Sequence, residues 1–225
     1  MNDLKICAIS DLHGQFNFDI KPSNILLICG DISPVIIQRD LEMMDFWIDS
    51  VFIPWCNKLP VKKIILIAGN HDFYLEKYKE QFLKQIEDTN IVYLQDESYT
   101  YTLDNKEYII YGTPWCQQFG SWAFMTDDEQ LTQIYSQMPD NVDILLTHDC
   151  PYGFNDVCYN NGVHIGCEPL TEIIKEKQPK YVFTGHLHST EKSPIMLNNS
   201  RIQNVCLLDE SYIISYKPTY VTIEK

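Results

Sequence analysis

Five of the chain's six histidines follow directly on short apolar runs, in the company of Asp, Asn and Gly. In chain order the groups are Asp11-Leu12-His13-Gly14, Gly30-Asp31, Gly69-Asn70-His71-Asp72, His148 after Thr147, and Gly185-His186-Leu187-His188. Imidazole, carboxylate and amide oxygen are the donors that borderline-hard divalent metals prefer, and none of these groups requires a thiolate. In His186-Leu187-His188 the alternate positions of an extended segment point the same way, so both rings can face one metal pair. Taken singly, each signal is weak. An Asp such as Asp31 after a strand is commonly a turn former or helix cap, and a single His such as His148 is commonly a hydrogen-bonded structural residue. The weight lies in the ordered set, because five separate segments deliver O and N donors from strand ends. Seven donors for two ions, one carboxylate being shared, leave three or four protein ligands each and room for water, as a catalytic site requires. Two ions about 3.5–4 Å apart would lower the pKa of a bridging water and clamp the attacking and leaving oxygens of a displacement at phosphorus. The reaction implied is phosphoester hydrolysis.

The elements that must position these groups are legible from periodicity. Residues 6–10, 25–30 and 64–69 are short, almost wholly apolar runs closed by polar or Gly-containing turns, as in strands buried on both faces. Between the second and third, Leu41, Met44, Ile48, Val51, Phe52 and Trp55 recur at helical spacing over 39–56, with Pro54 ending or kinking the helix. Leu75, Tyr78, Phe82 and Ile86 form a second helical stripe. Strands at short spacing follow over 91–94, 99–103 and 107–111, with Asp104-Asn105 a hairpin turn. A helix over 127–138, a buried strand over 143–147, a helix carrying Leu170, Ile173, Ile174 and Lys177, and strands over 181–184, 201–206 and 211–216 complete the reading. βαβ units early and hairpins late predict an α/β fold with a mixed sheet, or two packed sheets, and helices outside. Folds of that kind place their chemistry in loops at the carboxyl ends of strands.

A length of 225 residues with no internal repeat or low-complexity linker predicts one domain spanning 1–225. Lys and Arg number 17 against 31 Asp and Glu, a net charge of −14, which disfavours long nucleic acid and anionic membranes as partners. The start Met1-Asn2-Asp3-Leu4-Lys5 has no secretory pattern, and no run approaches the roughly 20 apolar residues of a membrane span. Eight cysteines without a CxxC pair read as reduced thiols of a cytoplasmic protein. Cys150, Cys158 and Cys167 lie near the fourth group, where buried inert thiols are the default and redox sensitivity the alternative. His164 falls in a loop, 160–166, expected to rim the pocket as an exposed residue.

The ordered set D-x-H, G-D, G-N-H-D, H and G-H-x-H resembles the calcineurin-like metallophosphoesterase superfamily, over Asp11 to His188. The resemblance implies a four-layer αββα sandwich with two mixed sheets and a dinuclear metal site at the strand C-terminal ends. It implies that Asp11, His13 and His188 hold one divalent ion, that Asn70, His148 and His186 hold the other, and that Asp31 bridges them. The ions would be drawn from Mn, Fe, Zn, Ni or Co. His71 would act as general acid on the leaving oxygen, with Asp72 orienting its ring.

A finer resemblance, through Tyr111-Gly112-Thr113-Pro114-Trp115, the FGSWAF of 119–124 and the strand of 143–148, is to a small metallophosphatase domain-containing subgroup similar to cyclic-nucleotide phosphodiesterases. The chain departs from that subgroup in having Asp149-Cys150-Pro151 where Gly-Pro-Pro is common. Protein serine/threonine phosphatases of the superfamily carry basic residues soon after the bridging Asp. Here Ile32-Ser33-Pro34-Val35 follows Asp31, and Arg39 lies further on. The expected substrate is a small phosphodiester such as a cyclic nucleotide, hydrolysed by a metal-bridging hydroxide. Hydrolysis of phosphomonoesters or short nucleic acid, and a non-enzymatic scaffold on the same fold, are the alternatives. Trp115, Phe119, Trp122 and Tyr152 are candidates to stack a base, against the stronger expectation that they fill the core.

Overall fold

Two mixed sheets face one another in the computed structural model, which describes residues 3–158 and 162–224. In chain order the strands are β1 (Leu4–Ile9), β2 (Ser23–Cys29), β3 (Val61–Ile67), β4 (Ile91–Tyr93), β5 (Glu97–Leu103), β6 (Lys106–Thr113) and β7 (Cys116–Gln117). They continue as β8 (Met125–Thr126), β9 (Ile144–Thr147), β10 (Tyr181–Thr184), β11 (Ile195–Leu197), β12 (Ser200–Asn204) and β13 (Thr219–Ile223). The first sheet has the order β13-β1-β2-β3-β4, parallel except where β13 pairs with β1. The second has the order β11-β12-β10-β9-β6-β5, parallel inside and antiparallel at both edges. A short β7-β8 pair stands apart from both.

Strand periodicity explains the layers. Leu4, Ile6, Ala8, Ile25, Leu27, Ile65 and Ile67 turn one face of the first sheet toward Ile110, Ile144, Leu146 and Phe183 of the second. The alternate residues Cys7, Ile9, Leu26, Ile28, Ile64 and Leu66 turn the other face toward helices. Those helices are α1 (Leu41–Trp47), α2 (Ile53–Cys56), α3 (Phe73–Lys77) and α4 (Lys79–Ile86). On the far side, α5 (Asp128–Tyr135) and α6 (Glu168–Lys177) cover the second sheet through Leu131, Tyr135, Leu170 and Ile174. Three apolar layers between four layers of structure make the αββα sandwich that was expected. Each fully buried Leu or Ile contributes about 1.5–3 kcal/mol. No helix among the described residues is long and apolar enough to cross a membrane.

Two differences from the sequence reading have clear causes. The helix expected over 39–56 runs without a break from Leu41 to Cys56 but widens into a π turn over Ile48–Phe52, where the Ile53 N–H reaches Ile48 O. Pro54 has no N–H to keep the tighter ladder, and the widened turn absorbs it without ending the helix. The strand expected over 211–216 is a loop, and the last strand is β13. Asp209 Oδ1 accepts the N–H groups of Ser211 and Ile213 at 2.9 and 3.2 Å, and Ser215 Oγ donates to Asp209 Oδ2 at 2.6 Å. This local capture takes the donors a ladder would use, and it throws Tyr212 into a left-handed conformation with φ 57°. The stripe of 75–86 breaks at Tyr78, which is exposed between α3 and α4 while Leu75, Phe82 and Ile86 are buried. The hairpin turn Asp104-Asn105 forms as expected, with φ 51° and 64°, joining β5 to β6.

Candidate metal centre

Because β1, β2 and β3 are parallel neighbours in one sheet and β9 and β10 in the other, their carboxyl ends open on one point between the sheets. Asp11 follows β1, Asp31 follows β2, Asn70 and His71 follow β3, His148 follows β9, and His186 and His188 follow β10. The turns are tied together: Asp11 N donates to Gly30 O at 3.1 Å, His13 N to Asp31 O at 3.0 Å, and Gly185 N to His148 O at 3.0 Å. The glycines of these turns are spaces as much as hinges. A Cβ on Gly69 would lie 2.3 Å from Asp31 Oδ1, and one on Gly185 would lie 2.1 Å from Ser10 Oγ and 2.7 Å from Asp11 Oδ2. Asp11, His13, Asp31 and His186 all adopt left-handed backbone, φ 44–66°. Such strain in four residues that converge is held by the surrounding fold and marks a functional site.

All seven expected ligands meet. His188 Nε2 lies 3.2 Å from Asp11 Oδ1, and Asp31 Oδ2 lies 3.4 Å from His148 Nε2 and 3.6 Å from His13 Nε2. Asn70 Oδ1 stands 3.0 Å from His148 Nε2 and 2.8 Å from His186 Nδ1. Donor atoms of Asp11, His13 and His188 lie within 4.8 Å of one another, as do those of Asp11, Asp31 and His148. An outer ring aims the inner one. His148 Nδ1 donates to Cys29 O at 2.7 Å and His188 Nδ1 to Asp209 O at 2.9 Å, which turns each Nε2 inward. Cys206 Sγ donates to Asp11 Oδ2 at 2.8 Å, and His186 N to the same carboxylate at 3.0 Å.

Does this arrangement suit metal ions? Both ring nitrogens of His13 are buried with no hydrogen-bond partner, a costly state unless a cation takes one of them. Burial, joined by the neighbouring imidazoles and against the pull of Asp31 and Asp11, brings His13 down to about 4 and His186 down to about 3, so both rings are neutral and available as ligands. Burial also works against charge on His148 and His188, yet Asp31 outweighs it and holds His148 up to about 10, and Asp11 holds His188 up to about 9. Burial would raise Asp11, but His188 and its neighbours hold it well below the usual carboxylate range. Two buried carboxylates thus lean on two imidazolium protons, which is the positive charge that divalent ions would replace. Cys116 Sγ lies within 4.8 Å of nitrogens of His148 and His186, and burial and Asp149 push its thiol well above the usual range.

One expected role is corrected. Asp72 does not orient His71. Its carboxylate accepts from Asp31 N and Gly69 N at 2.8 Å each, and from Ser33 N at 3.0 Å and Ser33 Oγ at 2.6 Å. It braces the turns that carry Asp31 and Asn70 by accepting from their backbone N–H groups. The partner of His71 Nδ1 is Gln38 Oε1, at 2.5 Å, a residue with no recognisable signal in the sequence. Tyr212 is a second unforeseen neighbour, its ring 4.9 Å from that of His13 and 5.1 Å from that of His188.

A cavity of about 620 Å³ opens over the cluster, walled by Phe119, Trp122, Tyr212, Gln117, Asp149 and Glu210. Of the four aromatic candidates, Phe119 and Trp122 line it. Trp115 instead donates its Nε1 to Asp96 Oδ2 at 2.8 Å, and Tyr152 stands beside His164 with ring centroids 5.5 Å apart. His164 is an exposed loop residue paired with Asp156 at 2.7 Å, while Asn160 and Asn161 of its loop lie outside the described residues. Cys150 is buried, its thiol pushed up to about 12 by burial, and Cys167 is also buried with its thiol raised; Cys158 is half-buried in the cavity wall.

A four-layer sandwich that gathers buried carboxylate, amide and imidazole donors at its carboxyl edge belongs to a structural class built to hold metal ions. The sequence matches the calcineurin-like phosphoesterase family over residues 4–190, and the chain belongs to that family. It is 27% identical over 208 residues to metallophosphoesterase domain-containing protein 1 of Homo sapiens, covering 82% of this chain and 60% of that protein. It is 28% identical over 252 residues to UPF0046 protein T07D4.2 of Caenorhabditis elegans, covering 98% of this chain and 60% of that protein. The chain thus spans about 60% of the length of these curated relatives. The phosphopantetheinyl hydrolase PptH of Mycobacterium tuberculosis shares the fold, with TM-score 0.61 at 12% identity over 93% of this chain and 91% of its own.

Proposed function

We propose that this chain is a phosphoesterase that uses two divalent ions to hydrolyse small phosphodiesters, cyclic nucleotides among them. The observation that carries the reading is the convergence of seven O and N donors, six of the residues buried and His186 half-buried, from five strand ends, with both nitrogens of His13 left without a hydrogen-bond partner. Asp11, His13 and His188 would hold one ion, Asn70, His148 and His186 the other, and Asp31 would lie between them. Such ions supply an activated water at neutral pH and neutralise charge on the phosphoryl oxygens. The chain's own residues do the rest. His71 Nε2, 3.9 Å from Asp31 Oδ2, is set to take up a proton and pass it to the departing oxygen. Trp122, 4.4 Å from the His71 ring, and Phe119, 5.3 Å from the His186 ring, offer flat faces to an aromatic leaving group.

Charge supports the diester. The described cavity wall contains no Lys or Arg but includes Asp149 and Glu210, so it tolerates the single negative charge of a diester better than the double charge of a monoester. Arg39 is not available to hold a phosphate there, since its guanidinium lies over Phe73 and donates to Ser121 O at 3.0 Å. The acidic wall and the net charge of −14 speak against long nucleic acid. Eight free thiols suit a reducing, cytoplasmic setting.

The test is initial rates on bis(p-nitrophenyl) phosphate, p-nitrophenyl phosphate and 2′,3′- and 3′,5′-cyclic nucleotides, after loading with Mn, Fe, Co, Ni or Zn. The expected result is metal-dependent turnover with diesters favoured by at least about tenfold in kcat/KM, one like-charge contact of about 1.4 kcal/mol. Absence of turnover with every ion, or a preference for the monoester, refutes the proposal.

A further inference from the structure

His71 is held from two sides by one dipeptide, Gln38-Arg39, in the turn between β2 and α1. Gln38 Oε1 stands 2.5 Å from His71 Nδ1, and both residues are 8% exposed. An amide oxygen only accepts, so Nδ1 carries the hydrogen and Nε2 is the nitrogen turned toward the centre. Arg39 supports the other side. Its guanidinium lies 4.2 Å from the Phe73 ring and 5.2 Å from that of Trp122, and Trp122 in turn lies 4.4 Å from the His71 ring. The turn is seated on the metal-binding loops: Gly14 N donates to Ile32 O at 3.0 Å, and a Cβ on Gly14 would meet the Pro34 ring at 2.7 Å.

We propose that Gln38 is a positioning residue for the reaction, fixing His71 as the Nδ1–H tautomer so that Nε2 alone takes up a proton from solvent, forming the imidazolium, and passes it to the departing oxygen. The proposal rests on the phosphoester hydrolysis above. The rotation of an imidazole about its terminal torsion is broad and roughly two-fold, so packing by Trp122 sets the plane of the ring but not which edge faces inward. A directional acceptor at Nδ1 settles that choice. Gln38 accepts the same hydrogen whether the ring is neutral or protonated, so it keeps the edge fixed through a catalytic cycle. A carboxylate in its place would add a further buried negative charge to a region that already holds Asp31 and Asp72, 1% and 0% exposed.

Long-range ¹H–¹⁵N correlation spectra of the zinc-loaded protein read the tautomer directly, with His71 assigned by its absence in His71→Gln. Wild type should show His71 as Nδ1–H, Gln38→Glu should retain that signature, and Gln38→Met should shift toward Nε2–H. In steady-state assays Gln38→Met should lower kcat about 10–100-fold with KM within about twofold and zinc content unchanged, the scale of losing the partner of a functional histidine. Gln38→Glu should recover most of that loss. An Nε2–H signature for His71 in wild type, or a Gln38→Met kcat within about twofold of wild type, overturns the proposal. If Gln38→Met does not fold, the wild-type spectrum still decides. If wild type turns over no phosphoester, the proposed function fails, and the spectrum separately reports whether Gln38 sets the ring.

Discussion

Loading the metal-free protein with zinc at pH 7 should release about two protons per chain. In the metal-free centre His148, held up to about 10, and His188, held up to about 9, are almost fully protonated at that pH. His13 at about 4 and His186 at about 3 carry none. A ligating imidazole must be neutral, so ions binding to both sides expel the two protons that now offset Asp31 and Asp11. The combined affinity for two ions then rises about a hundredfold per pH unit near pH 7, tenfold for each proton released. The dependence should fall to about one proton midway between pH 9 and 10, where His188 has lost most of its proton and His148 keeps most of its own. Folding follows the same sign. Both values lie above the ordinary 6.5, so between pH 6.5 and 9 the metal-free fold holds more protons than the unfolded chain, and its stability falls as pH rises through that window. Isothermal titration calorimetry in buffers of different ionisation enthalpy counts the protons. A count near zero would refute the reasoning, since Asp11 and Asp31 would then be balanced without His148 and His188.

Three further outcomes follow from particular contacts. Asp31→Ala removes the carboxylate that lies within 3.9 Å of His13, His71 and His148, and should abolish retention of at least one zinc per chain and lower any phosphoesterase activity by at least about 100-fold; full zinc content by mass spectrometry would contradict this. Gly185→Ala forces a methyl group against Ser10 Oγ and Asp11 Oδ2, and should lower Tm by at least about 2 °C, given about 1–3 kcal/mol for overpacking; an unchanged melt would show that the turn can yield. Cys206→Ala withdraws a donor from buried Asp11 and should cost about 1–2 kcal/mol in urea unfolding, with Cys206→Ser closer to wild type because its hydroxyl also donates; equal losses in the two variants would exclude the hydrogen bond as the cause.

The candidate ligands Asp11, His13, Asp31, Asn70, His148, His186 and His188 were legible because each sits in or beside a turn that closes an apolar run, a pattern confined to neighbouring residues. The almost wholly apolar runs of β1, β2 and β3 likewise made strands buried on both faces readable, while the four-layer sandwich came from the family resemblance. The strand expected over 211–216 failed for a local reason that propensity does not weigh: the Asp209 side chain competes for the backbone N–H groups of its neighbours. The division of labour around the centre was not legible at all. Asp72 follows His71 directly, yet it braces the Asp31 and Gly69 turns, while Gln38, 33 residues away in sequence, meets the ring. Residue type and spacing along the chain decide what can bind a metal, because strand ends present their turns in sequence order. Which acceptor reaches which ring depends on distances across the two sheets and the turns above them, and only the folded chain sets those.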